Sequence, residues 1–185
     1  CIVGLWHLGC VTASCLSSIG IKTIAFDPDK KLVDNLKRSI SPIYEPGMQD
    51  LISEGLRKKN LYFTSNINEI RNHNIYWITY DTPVDYDDTA NVNYIIDNIH
   101  LINKQIKSDS NIIISSQLPV GTCEFISNIF KTKYNKKIRI FYLPENLRLG
   151  NALKVFLKPD RIVVGKELDS EISEVKKLID KISSS

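Results

Sequence analysis

The sequence predicts an α/β fold: a single doubly wound, mostly parallel sheet flanked by helices. Three observations carry this. Apolar runs alternate with helical patterns from end to end. Several of the runs are β-branched and continuous, the pattern of strands covered on both faces. The β-α-β order calls for right-handed crossovers between parallel strands. In chain order, strands are expected over Ile2–Val3, Lys22–Phe26, Leu61–Thr64, Ile75–Tyr80, Asn111–Ser116, Ile138–Tyr142 and Ile162–Val164. Helices are expected over Leu8–Ser18, Lys30–Arg38, Met48–Lys58, Val92–Lys107, Thr122–Lys133 and Ser170–Ile182. The helix from Val92 is the plainest, because Val92, Ile95, Ile96, Ile99, Ile102 and Ile106 recur at helical spacing.

Composition narrows the function classes. The chain has 185 residues, suited to one domain over 1–185, and its 43% hydrophobic content can bury a core. A formal charge of +3, with lysines scattered among acidic residues, does not point to nucleic acid. No apolar run approaches the ~20 residues of a membrane helix, so a soluble protein is expected. Cys1, Cys10, Cys15 and Cys123 show neither CxxC pairing nor metal-ligand spacing, and three sit in apolar surroundings. A reducing cytoplasm is the expected setting, and no metal site is expected. The chain opens inside a strand without an initiator Met and stops after a helical pattern, which leads us to expect a fragment.

Gly4-Leu5-Trp6-His7-Leu8-Gly9 lies between the first strand and the first helix. A dinucleotide-binding turn places GxGxxG there: the first Gly for the tight turn, the second for approach to the pyrophosphate, the third for helix–strand packing. The helix N-terminus then offers free N–H groups to the phosphates. The first and third glycines are present, and Trp6 stands where the second belongs. Asp27 ends the second strand 18 residues beyond Gly9, the place of the carboxylate that hydrogen-bonds the adenosine ribose. A carboxylate there also disfavours the 2′-phosphate of NADP. The alternative is a turn whose glycines serve packing alone, and Trp6 adds weight to it.

Four further segments are distinctive. Ser41-Pro42-Ile43-Tyr44-Glu45-Pro46-Gly47 follows the second helix, and Thr82-Pro83 leads to Asp87-Asp88-Thr89-Ala90-Asn91. Ser116-Gln117-Leu118-Pro119-Val120-Gly121-Thr122 comes next. Leu143-Pro144-Glu145-Asn146-Leu147-Arg148-Leu149-Gly150-Asn151-Ala152 then precedes Pro159-Asp160-Arg161-Ile162-Val163-Val164-Gly165. In this order they resemble the N-terminal, NAD-binding Rossmann-type domain of the UDP-glucose/GDP-mannose dehydrogenase family. The resemblance covers nearly the whole chain.

The resemblance implies an oxidoreductase that converts the C6 alcohol of a UDP- or GDP-sugar to a carboxylate with two NAD, for polysaccharide synthesis. It implies a central helix, a substrate domain with the nucleophilic Cys, and a homodimer, all beyond these residues. It places Gly4, Leu5, Trp6, His7, Leu8 and Gly9 on the cofactor turn and Asp27 on the ribose. Thr82 and Ser116 line the cofactor, Leu147 and Arg148 border the sugar nucleotide, and Glu145 is the catalytic general base or water-positioning group.

Departures from the family pattern are Trp6 for Gly, His7 for Tyr, Gln117 for Thr, Asn146 for Phe and Leu149 for Glu. They motivate a second reading, a binding or regulatory relative that keeps the fold without turnover. A third, a dehydrogenase of the hydroxyacid or 6-phosphogluconate type, is disfavoured by the two long motifs. Tyr44 and Glu45, flanked by prolines, read as a rigid structural loop, and Arg161 reads as structural. Asp81, Asp85, Asp87 and Asp88 read as a solvated acidic loop, since they lack the spacing of a calcium loop. Lys176, Lys177 and Lys181 face Glu171, Glu174 and Asp180 on an ordinary exposed helix surface.

Overall fold

The computed structural model describes residues 1–84, 86–87, 90–145 and 147–184. Asp85, Asp88, Thr89 and Asn146, named above, lie outside the described residues, as does Ser185. Seven strands form one sheet: β1 (Ile2–Val3), β2 (Thr23–Phe26), β3 (Leu61–Thr64), β4 (Ile75–Ile78), β5 (Asn111–Ile114), β6 (Arg139–Tyr142) and β7 (Gly165–Lys166). Their order is β3-β2-β1-β4-β5-β6-β7, parallel throughout except that β7 runs antiparallel to β6. The chain starts at the centre, winds out through β3, then returns past β1 to β4. That reversal between β1 and β4 opens a crevice at the carboxyl ends of the strands, where such sheets bind ligands.

The helices are α1 (His7–Ser18), α2 (Lys30–Leu36), α3 (Met48–Arg57), α4 (Val92–Ile102), α5 (Thr122–Lys133), α6 (Ala152–Leu157) and α7 (Ser173–Ser183), with a 3₁₀ turn at Ile67–Ile70. Alternation along β5 shows how the two faces are filled. Ile113 joins a core with Val11, Ile52, Phe141, Val175 and Ile182 beneath α1, α3 and α7. Ile112 and Ile114 join a second core with Ile95, Ile99, Ile126 and Phe130 beneath α4 and α5. All four β5 residues are buried, which explains the unbroken apolar run. Glu174 docks α7 on the sheet by accepting from Asn111 Nδ2 at 2.6 Å and Asn74 Nδ2 at 3.3 Å.

Four expectations are corrected. The fourth helix ends at Ile102, not Lys107, because the chain tightens there into three-residue turns: Gln105 N donates to Ile102 O and Ile106 N to Asn103 O. Ile106 keeps its buried place without being helical. The last strand is Gly165–Lys166 rather than Ile162–Val164; Ile162 and Val164 pack on the first core while Val163 is exposed, and the ladder forms only where β6 is in reach. The last helix begins at Ser173 rather than Ser170. Helix α6 escapes notice in the sequence, since six residues show no full period.

The carbonyls freed where α4 stops are met by Lys136, whose Nζ donates to Asn103 O at 2.5 Å and Ile106 O at 2.6 Å. Lys136→Met is expected to lower stability by about 1–3 kcal/mol, the cost of leaving such acceptors unmet. A drop in the urea midpoint with unchanged slope checks this.

Candidate functional site

Gly4 follows β1 directly, with φ of +96°, and its N–H donates to Phe26 O at 3.0 Å. A Cβ at Gly4 would lie 2.7 Å from the Tyr80 ring. A Cβ at Gly9 would lie 1.8 Å from Gly4 O, so the first turn of α1 presses on the strand with no room for a side chain. Thr79 supports the turn from β4's end, its hydroxyl donating to Gly4 O at 2.8 Å. Asp27, ending β2, accepts from Leu5 N at 2.8 Å and from Asp29 N at 2.9 Å. Burial pushes the Asp27 carboxyl above its ordinary value, against the pull of those two amides. Each oxygen keeps a free lone pair, and α1 leaves its first amides without intrahelical partners.

Trp6 is the N-cap residue of α1 and is 48% exposed. Its indole is a wall of a cavity of about 590 Å³, shared with Asp27, Leu32, Pro42, Tyr80 and Pro83. The Tyr80 ring stands edge-on to Tyr94 at 5.8 Å, and its hydroxyl is buried with no hydrogen-bond partner. Burial pushes this phenol up and keeps it a neutral donor. A carboxylate with lone pairs to spare, unpaired helix amides and an orphaned donor beside one crevice fit a dinucleotide.

The loops after β4 and β5 clamp each other. Thr82 Oγ1 donates to Gln117 O and Ser116 Oγ donates to Tyr80 O, each at 2.6 Å. Ser116 is buried, so its hydroxyl proton is committed to this clamp while its oxygen can still accept.

Glu145 follows β6 and accepts from Leu147 N at 2.5 Å. It borders a different cavity, of about 500 Å³, with Leu8, Trp77, Leu147, Phe156 and Arg161. Thr12, on the same cavity, has a buried hydroxyl with no partner. The start of α1 therefore stands between two hollows: Trp6 faces the Asp27 side and Leu8 faces the Glu145 side. Arg148 and Leu149 are exposed beyond it.

Three contributors were not singled out for the site in the sequence. Thr79 and Tyr80 extend an apolar strand, and only Thr79's polarity within that run signals a buried role. Glu45 is buried, and its carboxylate accepts from Gly150 N at 2.9 Å and Ala152 N at 2.8 Å, with His7 Nε2 at 3.2 Å. The loop bearing it is structural, as its prolines suggest. Burial pushes the Glu45 carboxyl up, but the two amides and His7 outweigh this and hold it below its ordinary 4.5. Tyr44, its neighbour, points outward and is exposed.

The cysteines are free thiols, Cys10 and Cys15 buried, and burial pushes Cys15 up to about 12. Such a thiol is a poor nucleophile at neutral pH. Among the described residues no group of three or more His, Cys, Asp or Glu is placed to hold a metal ion. Among them, too, no helix is long and apolar enough to cross a membrane.

Sequence and structure comparisons agree with this geometry. The family described as UDP-glucose/GDP-mannose dehydrogenase family, NAD binding domain, matches residues 1–183. UDP-glucose 6-dehydrogenase of Rickettsia bellii (strain RML369-C) is 34% identical over 164 residues, covering 88% of this chain and 38% of that protein. UDP-glucose 6-dehydrogenase of Pseudomonas aeruginosa is 28% identical over 171 residues, covering 89% of this chain and 38% of that protein. A GDP-mannose dehydrogenase of Pseudomonas aeruginosa, solved as a ternary complex, superposes with a TM-score of 0.87 at 25% identity, over 99% of this chain and 43% of that one. The UDP-D-ManNAc dehydrogenase of Pyrococcus horikoshii shares the fold, with a TM-score of 0.90 at 20% identity, over 98% of this chain and 44% of that one. The chain thus spans about two-fifths of the length of these relatives. Glycines at both ends of a tight first turn, a carboxylate closing β2 and a match over almost every residue make one case: the chain belongs to the UDP-glucose/GDP-mannose dehydrogenase family, as its NAD binding domain.

Proposed function

We propose that the chain holds NAD across the carboxyl ends of β1, β2, β4 and β5 as the cofactor-binding part of a nucleotide-sugar 6-dehydrogenase. The whole enzyme oxidises UDP-glucose or a related UDP- or GDP-sugar to the uronate, acting in the cytoplasm as a homodimer with a second, substrate-binding domain. The observation that carries the reading is Asp27, pinned by the Leu5 amide at the mouth of the crevice. NAD supplies hydride acceptance from the sugar carbon. Asp27 accepts from the adenosine ribose hydroxyls, and the first amides of α1 face the pyrophosphate. The Tyr80 hydroxyl supplies a further donor at the same wall. Glu145 takes a proton from water or orients it at the sugar, while Leu147 and Arg148 border the nucleotide. The family resemblance puts the nucleophilic thiol in the second domain; of the cysteines here, Cys10 and Cys15 are buried and Cys15 is held protonated.

Calorimetric titration with NAD, NADP and a Trp6→Gly variant tests the reading. NAD is expected to bind the unaltered chain and the variant alike, the exposed indole swinging clear of the pyrophosphate. NADP is expected to bind about tenfold more weakly or worse, roughly the ~1.4 kcal/mol of one hydrogen bond to Asp27. NAD binding by the variant alone would transfer support to a regulatory relative with its groove filled by Trp6. Absence of binding by either would overturn the cofactor reading.

A further inference from the structure

The buried Glu45 carboxylate joins three segments that are distant in sequence. From one side it meets His7, the first residue of α1, which is continuous with the cofactor turn. From the other it accepts the amides of Gly150 and Ala152. These close the loop that carries Glu145, Leu147 and Arg148 and open α6, whose own N-cap residue Asn151 provides no side-chain cap. Glu45 does that work from 105 residues away.

The loop supplying Glu45 is built to stay still. Prolines flank it at 42 and 46, Gly47 turns it with φ of +82°, and Met48 N donates back to Glu45 O at 3.1 Å. Ala152 is fully buried behind the carboxylate. A displacement of His7 therefore has a short route, through one carboxylate, to the amides of residues 150 and 152. Oε2 is shared by the imidazole and the Gly150 amide, so a change at one donor alters the acceptor available to the other.

We infer that Glu45 is a positioning residue that ties the cofactor turn, through His7, to the segment bearing Glu145, so that occupancy of the turn sets the order of the catalytic loop. The link to catalysis rests on the dehydrogenase reading above; the strut itself does not. Any such coupling is reciprocal: what orders the Glu145 segment also tightens binding at the turn.

Amide hydrogen exchange on the whole chain tests this in two arms. Without ligand, His7→Ala is expected to speed exchange at Gly150 and Ala152 about fivefold or more, the low end of a coupling between sites. His7→Gln, which keeps a donor toward Glu45, is expected to restore the slower rate. Unchanged exchange at both amides in His7→Ala would overturn the inference. With saturating NAD, exchange at Gly150 and Ala152 is expected to slow in the unaltered chain, and this slowing is expected to vanish in His7→Ala. Slowing at the α1 amides with no change at 150 and 152 would also overturn it. No response to NAD at the α1 amides would sink the cofactor reading instead, with the ligand-free arm still deciding the strut.

Discussion

Gly9→Ala is expected to disrupt the first turn, lowering stability by about 3 kcal/mol or more and abolishing NAD binding. Overpacking a core site usually costs 1–3 kcal/mol because neighbouring side chains yield. Here the obstacle is backbone: the added Cβ would lie 1.8 Å from Gly4 O and 2.9 Å from Thr79 Oγ1. Relief requires α1 to lift from β1, which breaks the Thr79–Gly4 bond and pulls Leu5 N from Asp27. Gly20→Ala serves as the comparison. Its φ of +80° carries strain, but nothing lies within 4 Å of a Cβ there, so a cost nearer 1 kcal/mol is expected. Urea unfolding of both variants, with NAD titration, checks the contrast; equal costs would show that packing against Gly4 is not the constraint.

The second large effect is at Glu45. Glu45→Ala leaves the buried Ala152 amide and the part-buried Gly150 amide without an acceptor. A loss of about 2–4 kcal/mol is expected, at roughly 1–3 kcal/mol for each unmet buried donor and less for an exposed one. Glu45→Gln is expected to lose somewhat less, since one carbonyl oxygen remains while the new NH₂ confronts an amide donor. The same site fixes a pH dependence. Because the folded-state carboxyl titrates below the ordinary 4.5, its stabilisation is fully present above about pH 4.5 and is lost as pH falls through the depressed value. Unfolding midpoints measured from pH 7 to pH 3 are expected to fall at the acid end for the unaltered chain. That component is expected to be missing from Glu45→Ala, and parallel curves would refute the assignment.

Helix α1, strand β5 and the carboxylate of Asp27 were legible because each is written in local signals. A 3.6-residue or unbroken apolar pattern states how much of an element is buried, and a glycine pair followed by an acidic residue states how a βαβ turn is made. The same signals misplaced β7, because apolar Ile162 and Val164 mark burial and not pairing. They carried α4 too far, because Ile106 is buried in a turn held by a lysine thirty residues on. They missed α6, whose cap is supplied by another segment.

What the sequence determined by itself is the doubly wound, mostly parallel α/β class, the close contact of α1 with β1 through Gly9 and the carboxylate that ends β2. Only the tertiary structure decided which loops meet there. It set Trp6 and Leu8 on opposite hollows, joined Ser116 to Tyr80 and Thr82 to Gln117, and made Glu45 the junction of residues 7, 150 and 152. The physical reason is range. Propensity and periodicity act over a few residues, whereas a buried hydrogen bond joins whatever groups the completed sheet brings within 3 Å.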